Sequence, residues 1–154
     1  MRETSRSCWA GVLIGVALIA AVDEIVFHQL LGWHHFYDGS TSAIGLLSDG
    51  LLHAGEVIAL VAGFFMLLDL RRSDSLAPSA VWPGFFLGAG SFQLFDGLIN
   101  HKLLRLHQIR YDVPLLPYDL AWNLVAIILI LVGMVLGSRV GLFKLPFLTS
   151  HRAR

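Results

Sequence analysis

Charge is scarce in this chain: 14% of its 154 residues are Asp, Glu, Lys or Arg, against 56% that are hydrophobic. A soluble domain of this length rarely has that balance. Cysteine is limited to Cys8, which excludes an intrachain disulfide and reads as an interfacial thiol. The net charge is zero and there is no basic run, which excludes nucleic acid as a partner. The sequence has no H-E-x-x-H, no C-x-x-C and no low-complexity segment, so no standard metal or redox motif explains its polar residues.

What the chain does have is long apolar stretches. Four are long enough to cross a hydrocarbon layer of roughly 30 Å: about Trp9–Leu31, Leu51–Leu70, Val81–Leu104 and Leu120–Val140. The lipid bilayer is therefore the expected partner. The first stretch is too long for a cleaved signal peptide, carries Asp23 and Glu24, and is followed by no small-residue cleavage site.

Basic residues set the expected orientation. Arg2, Arg6, Arg71, Arg72, Arg139, Lys144, Arg152 and Arg154 fall on one side, and Lys102, Arg105 and Arg110 on the other. This bias predicts that both termini lie in the cytoplasm. Trp9 and Trp82 then mark the inner interface, and Trp33 and Trp122 the outer one. The segment 141–148 is expected to be an interfacial tail.

The sequence also occurs twice. Gly11, Gly15, Asp23, His28, Leu30, Leu31 and His34 recur as Gly84, Gly88, Asp96, His101, Leu103, Leu104 and His107, each pair 73 residues apart. The match extends at an offset of 70 from Asp49 and Gly63 to Asp119 and Gly133. Asn123 then stands opposite His53, and Ala126 opposite Glu56. The expected fold is all-α: a single membrane domain over 1–154, a four-helix bundle of two parallel two-helix repeats, about 9–71 and 81–140. Helices satisfy their own backbone groups in lipid. The Gly pairs spaced by four permit close helix contact.

Ionisable residues inside a membrane are expensive and usually functional. Asp23 and Asp96 lie about 15 residues, or roughly 20 Å, from the inner helix ends. His28 and His101 are one to two turns further out, and His34, His35 and His107 lie at or beyond the outer ends. Asp49, His53 and Glu56, and Asp119 and Asn123, enter from the same side. His151 is the exception, in the C-terminal tail.

Imidazole and carboxylate together suit zinc, copper or iron. The candidate ligands are His28, His34, His53, Glu56, His101 and His107. Asp23, Asp96, Glu24, Asp49, Asp119 and Asn123 are candidates to orient them. One feature resists this scheme. Asp23 and His28 are five apart, about 140° round an ideal helix, so their joint use requires a bulge, or else each has different neighbours. Asp49 and Asp119 also read as helix N-caps, and Asp69 as an ion-pair partner of Arg71 and Arg72. Two alternatives stand beside the metal reading. One is haem b with His28 and His101 as axial ligands; the other is a structural subunit held by a polar hydrogen-bond network.

The segments VDEIVFHQLLGWHH, SDGLLHAGE, FQLFDGLINHKLLRLHQIR and YDLAWN resemble a bacterial membrane-protein family, domain of unknown function 2243. The resemblance covers about residues 10–140. Its pattern falls on Asp23, His28, His34, His35, Asp49, Gly50, His53, Asp96, Gly97, His101, His107, Arg110 and Asp119, with Gln108 standing where a second His is expected. The resemblance implies a small four-span membrane protein with no established activity. It also implies a setting near cytochrome-oxidase assembly factors, which fits metal or haem handling for respiratory-complex assembly. Partners in that assembly, or further copies of the chain, are expected on the same ground. Carrier, assembly factor and enzyme all remain open.

Overall fold

The computed structural model describes residues 2–143; the expected cytoplasmic charges Lys144, Arg152 and Arg154, His151 and most of the expected interfacial tail lie outside them. All regular structure among the described residues is helical. Helix α1 spans Arg2–Asp23 and continues as a π-helical segment, Glu24–Leu30. Helix α2 spans Ser42–Arg72, and its first turn is capped by Thr41, whose side chain accepts from the Ile44 amide. Helix α3, Pro78–Phe95, starts with proline at its first position, where the missing N–H costs nothing. It runs into a second π-helical segment, Asp96–Leu104, which stops at the left-handed Arg105. Helix α4 spans Leu115–Arg139.

The helices form a row. α1 and α3 are the central pair; α2 packs on the outside of α1, and α4 on the outside of α3. α2 and α4 do not meet among the described residues. The central contact is made by glycines. Gly11 lies against the carbonyl oxygen of Val81 and Gly15 against that of Phe85; Gly84 lies against the carbonyl of Cys8 and Gly88 against that of Val12. Any side chain there would overlap backbone, which cannot move aside. The two sets of contacts are reciprocal: adding 73 to Gly11 and Gly15 gives Gly84 and Gly88, and subtracting 73 from Val81 and Phe85 gives Cys8 and Val12. The flanking contacts correspond as well: Gly63 of α2 meets Ile14, and Gly133 of α4 meets Leu87.

Three helical segments are long and apolar enough to cross a membrane: Glu3–Leu30, Ser42–Arg72 and Leu115–Arg139. The fourth expected span, on α3, is not among them. Its position explains why. α3 sits between α1 and α4 and buries Pro83, Gly84, Gly88, Gly90 and Gln93, small or polar residues that dilute its apolarity. Gln93 and Trp122 exchange hydrogen bonds with each other's backbone carbonyls, at 2.9 and 3.1 Å, fixing α3 to α4. The outer faces of α2 and α4 expose Ile58, Phe65, Leu68, Leu120, Leu124 and Leu131. Such surfaces suit lipid, where exposed apolar side chains cost nothing.

Asp69 does not pair with its neighbours Arg71 and Arg72. It accepts from Arg6 at 2.7 Å, tying α2 to α1 at the end opposite the histidines. Both groups are largely exposed, so the pair adds little stability.

Candidate metal centre

The two π segments solve the spacing problem. A π-helix bonds residue i to i+5, so residues five apart become neighbours on one face. Asp23 Oδ2 thereby comes to 3.8 Å from His28 Nε2, and Asp96 Oδ2 to 3.0 Å from His101 Nε2. A third pair has the same spacing: Gln29 Nε2 donates to Glu24 Oε1 at 2.8 Å. π segments of this kind cluster at functional sites.

The loops after the π segments fold inward. His34 and His107 are buried, and their rings stack with centroids 4.5 Å apart. His28 lies edge-on to His34 at 4.4 Å, and His101 edge-on to His107 at 4.6 Å. Four imidazoles from the two helices and the two loops therefore converge on one point.

The surroundings fix how these rings present their nitrogens. His107 Nδ1 donates to the Phe36 carbonyl at 2.8 Å, which leaves the Nε2 lone pair facing the cluster. His28 Nδ1 lies 2.7 Å from Glu24 Oε2 and hydrogen-bonds Asp49 Oδ1 at 3.2 Å, which leaves its Nε2 likewise free. Carboxylate behind imidazole is the usual arrangement for orienting a metal ligand. Asp49 also accepts from His35 Nδ1 at 2.6 Å and from the Phe36 amide at 2.7 Å, so one carboxylate fastens the first loop to α2. Asn100 Nδ2 donates to Asp96 Oδ1 at 2.9 Å, and His107 Nε2 lies 3.9 Å from that same oxygen.

Burial, together with the neighbouring His107, His28 and His101, holds the His34 imidazole down to about 2. Burial likewise depresses His107, to about 4, with His101 adding to the effect and Asp96 opposing it. Both rings are neutral at pH 7 and keep a lone pair to give.

The ligand atoms of His28, His34 and His107 lie within 4.8 Å of one another, as do those of Asp96, His101 and His107, and those of Glu24, His28 and Asp49. Every one of these residues is buried. Yet His28 Nε2, His107 Nε2, His101 Nδ1 and both ring nitrogens of His34 have no hydrogen-bond partner among the described residues. Buried polar groups are almost always paired. A cavity of about 360 Å³ beside the cluster is lined by His28, His34, His35, Asp38 and Tyr111 and opens at the loop end.

Residues 10–140 match the model of a family described as predicted membrane protein, DUF2243. The chain belongs to that family. No curated protein and no solved structure matches it.

Not every sequence candidate reaches the centre. His53 and Glu56 bond each other at 3.0 Å, with the His53 side chain 53% exposed, and belong to none of the three groupings. Asp119 pairs with Lys102 at 2.6 Å, and Asn123 donates to the Asp119 carbonyl. Neither Asp is an N-cap: α2 is capped eight residues before Asp49, and α4 begins at Leu115. Two contributors went unread in the sequence. Asn100 was legible as an i,i+4 partner of Asp96. The Phe36 carbonyl left no signal, because a backbone oxygen has no sequence signature.

Proposed function

We propose that this is a metal-binding membrane protein, holding one transition-metal ion among His28, His34, His101, His107 and Asp96. The observation that carries the reading is the group of unpartnered, buried ring nitrogens. A structural network would use those atoms to hydrogen-bond one another, and only His101 Nε2 has such a partner in reach, Asp96 Oδ2 at 3.0 Å. Burying so many polar groups without compensation is expensive, and a cation satisfies them together. His107 has only Nε2 left to offer, because Nδ1 is engaged by Phe36. The two groupings that share His107 therefore read as one ion's surroundings, not two. Neutral imidazole with carboxylate suits zinc, copper or iron. Glu24 and Asp49 stand behind His28 at Nδ1 as its orienting groups, and Asp23 lies beside its Nε2 at 3.8 Å.

Space favours a bare ion over haem b. His34 and His107 stand between the rings of His28 and His101, where a porphyrin would have to lie. Protein purified without chelators or a polyhistidine tag is expected to carry about one equivalent of metal by elemental analysis. Metal-free protein that takes up no zinc, copper or iron on titration would leave the structural reading as the better one.

The arrangement in the membrane is part of the same proposal. The reciprocal glycine contacts support two parallel repeats of two spans each, with the central α3 as the fourth span. The bias of basic residues supports an orientation in the bacterial inner membrane with both termini in the cytoplasm and the metal centre at the outer face. A reporter fused at Ser42 and one fused at the C-terminus should give opposite answers; a cytoplasmic signal at Ser42 would reverse the orientation. The family resemblance points the bound ion toward respiratory-complex assembly.

A further inference from the structure

A second cavity, of about 610 Å³, lies between the first π segment and α2, lined by Ile25, Gln29, Leu46, Gly50 and His53, with Glu24 and Asp49 as its inner wall. Ile25 and Leu46 are exposed, so the crevice opens sideways on the apolar flank of the molecule, not at the loop end. His53 stands eleven residues into α2, roughly 16 Å from the helix start. It lies two residues inside the apolar stretch Leu51–Leu70, and a half-exposed imidazole within such a stretch is costly unless something polar meets it.

The polar atoms of the crevice have a definite sense. His53 Nδ1 donates to Glu56 Oε2, which leaves Nε2 as an acceptor. One of the two Gln29 amide N–H groups is engaged by Glu24, and its carbonyl oxygen is left as a second acceptor. No Lys or Arg lines the crevice, and two carboxylates stand behind it. A phosphate headgroup is therefore repelled. The complementary ligand is neutral, lipid-soluble and a hydrogen-bond donor at more than one point, on an apolar body that fits between Ile25 and Leu46.

We propose that this crevice binds the dihydroxy-aromatic headgroup of a quinol. The hydroxyls donate to His53 Nε2 and Gln29 Oε1, and the ring lies between the aliphatic side chains. The site is separate from the metal centre, with Glu24 and Asp49 between the two: each contacts His28 on one side and faces the crevice on the other. The proposal does not depend on the identity or presence of the ion.

The test is anaerobic binding of decyl-ubiquinol to the full chain in nanodiscs, with decyl-ubiquinone and decanol as comparisons. Saturable binding is expected for the quinol, at least about tenfold tighter than for the quinone, which lacks hydroxyl donors, or for decanol, which has one. Gly50→Leu fills the crevice from a position with open space around it, so the fold tolerates it. It should weaken quinol binding at least about tenfold at unchanged metal content. His53→Leu should weaken it comparably. Quinone or decanol binding as tightly as quinol would overturn the proposal, as would Gly50→Leu binding like the wild type. So would quinol uptake no greater than by empty nanodiscs. A phospholipid or a second copy of the chain found covering the crevice would also overturn it. Native mass spectrometry reads both, and thermal unfolding confirms that each variant is folded.

Discussion

His28→Ala and His107→Ala are each expected to lower metal affinity by roughly a hundredfold or more. Each removes a ring whose one free nitrogen faces the cluster while its other nitrogen is anchored, so no rotation of a neighbour restores the missing donor. Glu24→Gln and Asp49→Asn keep the shape and remove the charge behind His28; roughly 10–100-fold is the usual cost of losing an orienting group. Competition with a chromogenic chelator in detergent measures both classes. The ranking is the sharp part: imidazole losses should exceed carboxylate losses. Equal metal content in wild type, His28→Ala and His107→Ala would end the metal reading.

Gly84→Leu is expected to cost at least about 3 kcal/mol of stability, the upper end of what overpacking usually costs. The new side chain would overlap the Cys8 carbonyl, a backbone atom at the crossing of α1 and α3. Gly11→Leu meets Val81 in the same way and should match it. Gly55→Leu is the control, because nothing lies within 4 Å of its Cβ position. Thermal unfolding in detergent separates them: the first two should melt early or fail to yield monodisperse protein, and the third should melt near the wild type. A Gly84→Leu protein as stable as the wild type would mean that α1 and α3 do not pack through these glycines.

Much of this arrangement was legible before any coordinates. Apolar length gave the helices, and the 73-residue spacing singled out the glycines that now line the central contact. The ionisable residues of the π segments stood out because lipid makes them costly. The winding was hidden. Periodicity arguments assume 3.6 residues per turn, and under that assumption Asp23 and His28 diverge. The pairs Asp23–His28, Asp96–His101 and Glu24–Gln29 share a spacing of five, and that recurrence is the one sequence trace of the π winding. The loop histidines were harder to place. Nothing in the types of His34 and His107 says that their loops fold inward; stacking against each other and the Phe36 carbonyl decide it. His53 with Glu56 misled in the opposite direction. Their spacing is right for a ligand pair, but the face they share turns away from the imidazole cluster, with His53 in the crevice, and only the rotation of α2 about its axis determines that.

A π segment is, in effect, an α-helix with one residue too many. In this chain the π winding is what brings a carboxylate and an imidazole five residues apart together in each of the two helices. Rewinding the same residues as α-helix would leave every ligand present and carry His28 about 140° round the axis from Asp23. An inventory of residue types would score such a chain as intact. What is inherited with this site is a winding as much as a set of side chains, so a substitution that favours α over π winding bears on function here as directly as the loss of a ligand does.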